Sequence, residues 1–180
     1  MARSYVILVD ENDQQTGVME KILAHQKGLL HRAFSIFIIN NNQEMLLQKR
    51  ASSKYHSPGL WTNACCSHPA PDESTIEAAN RRLPEEMGFN CPLTEIGAFT
   101  YRAEFENGLT EFEFDHVFVG THNAAVIPNP EEVDEYKWLS LSEIDKLIEN
   151  DENQFTVWFK LAYPLTKSWI ENKSATTFLI

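Results

Sequence analysis

The chain is 180 residues long, 43% apolar and 23% charged, which is the size and composition of a folded domain rather than a fibre or a disordered tail. Its 15 Lys and Arg against 26 Asp and Glu leave a formal net charge of −11. That sign argues against a binder of nucleic-acid backbones and against a polybasic membrane-surface protein, so an anionic ligand has to meet local cations set in an acidic body.

The opening MARSYVILVDEND holds one Arg and a short apolar run closed by acids, too short for the apolar core of a signal peptide. No other stretch approaches a membrane span. The three cysteines, Cys65, Cys66 and Cys91, are few and odd in number, and two are adjacent, which reads as a reduced chain of the cytoplasm. With no repeat, low-complexity tract or Pro/Gly/Ser-rich linker, the expectation is one domain over residues 1–180.

In chain order, Tyr5 to Val9 reads as a strand and the polar run Glu11 to Gly17 as a turn. Ala33 to Ile39 and Met45 to Lys49, joined by Asn40 to Gln43, read as a hairpin. Trp61 to Ser67 follows the Ser57-Pro58-Gly59 turn as another short strand. From Ser74 the period becomes helical, with Ser74 and Glu77 at capping-box spacing and Gly88 closing; Pro84 is expected to distort the last turn. Ile96 to Phe105 and Glu111 to Gly120 form a second hairpin around Asn107-Gly108. Tyr136 to Leu141 reads as a strand feeding a helix capped at Ser140 or Ser142. Phe155 to Ile170 reads as a helix with Phe155, Trp158, Phe159, Ala162 and Trp169 along one face and a kink at Pro164. The expected class is α+β, a mixed β-sheet flanked by helices.

Chemistry concentrates in a few stretches. In WTNACCSHP, strand alternation puts Cys66 and His68 on one face and Cys65 on the other, so one thiol faces a site and one the core. In TEFEFDHVF, Glu111, Glu113 and Asp115 share a face opposite Phe112, Phe114 and His116. Three aligned carboxylates repel one another unless water, protons or a cation offset them, which leaves a solvated face and a metal site both open. His25 and His31, with Lys21 nearby, read equally as a surface turn. Together with His68, Glu111 and Glu113 they supply imidazoles and carboxylates without thiolates, a set suited to a Mn, Fe, Mg-like or Zn centre of higher coordination than a closed structural zinc.

The central helix, read as Ser67-x5-Glu73-x7-Arg81-Arg82-Leu83-Pro84-Glu85-Glu86-Met87-Gly88-Phe89, resembles the Nudix box G-x5-E-x7-R-E-U-x-E-E-x-G-U, where U is apolar. It departs at Ser67, where the box has Gly, and at Arg82, where the box has Glu. A cation there suits a site that grips phosphate rather than one that activates water upon it. EKILAH, LLHRAFS, the KRASSK run, W-T-N-x-x-C-x-H-P, this variant helix and the E-x-E strand then occur in the order and spacing of the type 1 isopentenyl-diphosphate isomerases, from about Tyr5 to Trp158.

This resemblance implies a Nudix-like fold and an enzyme that interconverts isopentenyl and dimethylallyl diphosphates. It further implies that His25, His31, His68, Glu111 and Glu113 bind a divalent metal (Mn²⁺ or Zn²⁺), and that Glu86 binds a Mg²⁺ bridging to the diphosphate. Cys66 and Glu113 correspond to the acid/base pair, and Tyr101 to the phenol on the acid/base carboxylate. Lys21, Arg50, Lys54 and Arg82 correspond to the diphosphate clamp, and Trp158 to the aromatic face over the isoprenoid. A small diphosphate partner, no nucleic acid, no membrane, and a monomer or weak homodimer are the accompanying expectations. The competing readings are a Nudix diphosphohydrolase and a catalytically silent diphosphate- or metal-binding module.

Overall fold

The computed structural model describes residues 4–54 and 56–177, with side chains described to 173. Its elements are β1 (Tyr5–Val9), β2 (Gln15–Glu20), α1 (Lys21–Lys27), β3 (His31–Ile39), β4 (Glu44–Arg50), β5 (Trp61–Thr62), β6 (Cys65–Ser67) and α2 (Thr75–Met87). They continue with β7 (Leu93–Glu104), β8 (Thr110–Thr121), β9 (Val133–Ser140), α3 (Leu141–Asn150), a 3-10 turn at Glu152–Gln154 and α4 (Val157–Thr177). No helix among the described residues is long and apolar enough to cross a membrane.

β3 organises the sheet. Its sequence HRAFSIFII is almost continuously apolar after the first turn, as a strand covered on both faces should be, and it runs parallel to β8 from His31 opposite Glu113 to Ile39 opposite Thr121. Phe34, Ile36 and Ile38 face a core closed by Ala78, Leu83 and Met87 of α2, whereas Phe37 and Ile39 face a second core closed by Phe159, Ala162 and Ile170 of α4. The result is a mixed sheet between helices, in the expected α+β class.

Several local expectations change. The hairpin of β3 and β4 joins only at its tip, Ile39 opposite Met45, because β3 continues beside β8 and β4 pairs along its length with β9. The two arms therefore part, and a gap opens between them. The turn read from Glu11 to Gly17 is shorter, since β2 begins at Gln15 and pairs with β1. The strand read from Trp61 to Ser67 is interrupted at Asn63 and Ala64, with β5 on β4 and β6 on β3. The short α1 was not visible as an element; Glu20 caps it by accepting from the backbone N–H of Ile22 and Leu23.

The caps follow the reading closely. Ser74 and Glu77 form the full capping box of α2, and Ser140, not Ser142, forms that of α3 with Glu143. Gly88 ends α2 with φ 78°, where an added Cβ would stand 2.1 Å from the Ile127 carbonyl oxygen, so no other residue fits. Both α2 and α4 run unbroken through Pro84 and Pro164.

Candidate active site

Strand parity assembles the site. Ser35 of β3 lies opposite Cys66 of β6, His31 of β3 opposite Glu113 of β8, and Glu113 opposite Tyr101 of β7. Side chains alternate along strands, so His31, Ser35, Cys66, Tyr101, Glu111, Glu113 and Asp115 share one sheet face. Farther along that face Phe37, Val117 and Val119 belong to the core under α4. The polar end of the face adjoins the gap between β3 and β4. There a cleft of about 150 Å³ is lined by Ala33, Phe34 and Ser35 on one side and Gln48 and Arg50 on the other. That volume holds on the order of ten waters, enough for a small ligand.

The three acids of β8 are buried: Glu111 is 3% exposed, Glu113 6% and Asp115 1%, while Phe112 and Phe114 lie on the half-covered opposite face. This inverts ordinary amphipathic patterning and excludes the solvated face. Buried carboxylates need partners or protons. Tyr101 Oη lies 2.6 Å from Glu113 Oε2 and 2.9 Å from Glu111 Oε2, but a phenol has one hydrogen and cannot serve two bare carboxylates. Burial and the neighbouring Glu113 charge push the Glu111 carboxyl well up. Burial also opposes ionisation of Glu113, but His31 and His68 overcome it and hold that carboxyl well down. In the metal-free protein Glu111 therefore keeps its proton and Glu113 is the bare carboxylate.

His25, His31, His68 and Glu113 each place a ligand atom within 4.8 Å of the others. Backbone oxygens set the tautomers: His25 Nδ1 donates to Lys21 O at 2.7 Å and His31 Nδ1 to Leu29 O at 2.8 Å. Each Nε2 is left as a lone pair inside the cluster, and neither has a hydrogen-bond partner among the described residues. Burial lowers His25 to about 4 and His68 to about 3, so both are neutral at ordinary pH. His68 Nε2 hydrogen-bonds Glu113 Oε1 at 2.8 Å, and His31 Nε2 lies 3.5 Å from the same oxygen; neutral imidazoles converging on an anionic carboxylate fit a divalent cation. Glu111 stands outside this four-residue group, joined to Glu113 through Tyr101.

The thiols separate as strand alternation requires. Cys65 is fully buried in the core beneath α2. Cys66 lines the cleft, where its Sγ donates to Asn63 Oδ1 at 3.1 Å and lies 3.5 Å from Ser35 Oγ. Burial and the Asp115 charge push the Cys66 thiol far up, so it stays protonated. Ser35 in turn donates to Asp115 Oδ2 at 2.8 Å.

Lys21, Arg50, Lys54 and Arg82 all line the same cleft, the local cations that an acidic chain needs for an anionic ligand. Arg82 extends to Glu85 and Glu86 at 2.6 Å each and to Glu132 at 3.2 Å, and Lys54 pairs with Glu132. Burial makes the Arg82 charge costly, yet Glu86 and its neighbours more than offset this and raise its pKa. Glu86 is itself pushed up by burial, against the pull of Arg82. Arg50 Nε, Arg82 Nε and Trp158 Nε1 are buried donors without a partner among the described residues. Arg50 also lies 5.2 Å over the Trp158 ring. Elsewhere in the box, Arg81 and Glu73 form a two-pronged pair at 2.7 Å that braces the loop before α2.

The cleft is lined by the residues singled out in the sequence except Tyr101, which stands behind the two glutamates, and His25 and His31, which are fully buried and join the cleft through the cluster with His68 and Glu113. It also contains residues that were not singled out: Ser35, Gln48, His56 and Glu132. His56 and Glu132 arrive from loops of no regular period, and nothing short of their folded positions identifies them. Asp115 and Asn63 had a visible signal, being the third acid of the β8 face and part of the WTN run.

Residues 29–159 match the NUDIX domain. The isopentenyl-diphosphate Delta-isomerase of Pectobacterium atrosepticum is 52% identical over 163 residues, 91% of each chain. Isopentenyl-diphosphate Delta-isomerase 2 of Photorhabdus laumondii is 49% identical, over 91% of this chain and 96% of its own. Among solved structures, a Deinococcus radiodurans protein superposes with a TM-score of 0.72 over 89% of this chain and 98% of its own, at 19% identity, a likeness of fold. The split sheet, the capped box helix and this identity over nine-tenths of the chain have one common explanation: the chain belongs to the isopentenyl-diphosphate Delta-isomerase family and is built on a NUDIX domain.

Proposed function

We propose that the protein interconverts isopentenyl diphosphate and dimethylallyl diphosphate by adding a proton to the terminal alkene carbon and removing a different proton from the resulting tertiary cation. The observation that carries this reading is the composition of one cleft, lined together by a protonated Cys66 thiol, a bare Glu113 carboxylate and the cations Lys21, Arg50, Lys54 and Arg82. The cations hold the diphosphate and so fix the short tail between the two proton-transfer groups. Cys66 and Glu113 carry the two protons, and Tyr101 orients Glu113 through its 2.6 Å hydrogen bond. Trp158, 3% exposed on the cleft wall, excludes water and presents an aromatic face to the cation.

His25, His31, His68 and Glu113, with Glu111 beside them, would hold a divalent cation, Mn²⁺ or Zn²⁺, and Glu86 a Mg²⁺ at the diphosphate. Bound there, such ions supply Lewis acidity and charge neutralisation. The three free thiols agree with a reducing cytoplasm, and we assign the protein there as a monomer or weak homodimer.

A diphosphohydrolase is less well supported, because Arg82 occupies the box position of a metal-binding carboxylate and pairs with Glu85. NMR of isopentenyl diphosphate incubated with protein and Mg²⁺ in D₂O tests the assignment. Deuterium in dimethylallyl diphosphate is expected, chelation should abolish it, and Mg²⁺ with Mn²⁺ or Zn²⁺ should restore it. Phosphate release without isomer conversion would overturn the reading.

A further inference from the structure

His56 belongs to the loop between β4 and β5, and its ring is held on several sides. It stacks on Phe105 with centroids 5.4 Å apart and an interplanar angle of 28°, and meets Trp158 edge-on at 5.8 Å. Its backbone oxygen accepts from Arg50 Nη2 at 3.3 Å. A phenylalanine would satisfy those packing contacts equally well. The nitrogen is what distinguishes the residue: Nε2 lies 3.2 Å from Glu111 Oε1, between side chains only 7% and 4% exposed.

Glu111 needs that nitrogen. The single Tyr101 hydrogen serves Glu113, and Glu111 contacts Tyr101 through its other oxygen, Oε2. A hydrogen-bonding partner at Oε1 fixes the carboxyl plane, and His56 Nε2 stands there. Glu111 is also the one expected ligand outside the four-residue cluster, so its orientation decides whether it completes the set. We propose that His56 is a positioning residue of the metal centre, its Nε2 holding Glu111 Oε1 and thereby fixing the Glu111 carboxylate beside His25, His31, His68 and Glu113. The proposal rests on reading that cluster as a metal centre.

Partners of this kind typically alter metal affinity by 10- to 100-fold. The test is titration of metal-free full-length protein with Mn²⁺, free Mn²⁺ being counted by electron paramagnetic resonance, so turnover does not enter the reading. His56→Phe keeps the ring stack and removes the donor, whereas His56→Gln loses the ring but places an amide N–H near the position of Nε2. His56→Phe should bind Mn²⁺ at least about tenfold more weakly, and His56→Gln should recover most of the loss. In turnover, His56→Phe should lower kcat with little change in KM, because the diphosphate clamp is untouched. Wild-type affinity in His56→Phe, or equal weakening in both variants, overturns the positioning role. Wild-type protein that takes up no Mn²⁺ overturns the metal-centre reading and this role with it. Circular dichroism on each variant assigns a folding defect, and if His56→Phe does not fold, a His56→Gln protein that folds and binds Mn²⁺ about tenfold more weakly than wild type overturns the role.

Discussion

Replacing Tyr101 with Phe removes one oxygen from the centre of the site and little else. The ring is 6% exposed and packs on Phe99 with centroids 5.7 Å apart, so phenylalanine fills the same space. What disappears is the 2.6 Å hydrogen bond to Glu113 and the 2.9 Å contact to Glu111. A hydrogen bond to a charged group contributes about 1.5–3 kcal/mol, and Glu113 is the charged member of the pair. Urea unfolding should show a loss of that size. If Tyr101 holds Glu113 in its working orientation, kcat should fall by between about tenfold and about 150-fold, the same energies converted at 1.4 kcal/mol per decade. KM should barely move, since the phenol does not line the cleft. Losing a donor to the ionised form also raises the Glu113 pKa, so the limb of the kcat profile that reports it should shift to higher pH. Unchanged kcat together with unchanged pH dependence would refute the bridging role, even if stability fell.

Cys66→Ala should remove nearly all isomerisation, while Cys65→Ala should cost about 1 kcal/mol of packing and keep most turnover; activity carried by Cys65 would mean the β6 register is wrong by one residue. Arg82→Glu places a further carboxylate among Glu85, Glu86 and Glu132, and should raise KM about tenfold or more without producing a hydrolase; brisk phosphate release from this variant would contradict that. His68 is lowered by burial to about 3, below the unfolded value of 6.5, so as pH falls through 6.5 the unfolded chain takes up a proton that the folded protein refuses. In metal-free protein at pH 5 this costs wild type about 2 kcal/mol that His68→Gln does not lose; an identical gap between the two at pH 8 and pH 5 in urea unfolding would count against a buried neutral His68.

Local rules were enough for the parts of this protein whose physics is local. The capping box at Ser74 and Glu77, the Gly88 stop, the Asn107-Gly108 hairpin, the split of Cys66 from Cys65 and the shared face of Glu111, Glu113 and Asp115 all follow from periodicity and backbone chemistry. The resemblance of the ordered motifs to a known family also singled out Lys21, Arg50, Lys54, Arg82, Cys66 and Glu113, which the fold brings to one cleft. Tertiary structure alone decided which way the acidic face of β8 points, because an alternating strand reads the same whether its polar side meets water or a buried site. It also decided that the β3 and β4 arms part, since a hairpin turn constrains its own few residues, whereas the longer ladders with β8 and β9 act along the whole length of each arm. The gap left by that competition is the cleft, and it admits His56 and Glu132 from loops whose position no period encodes.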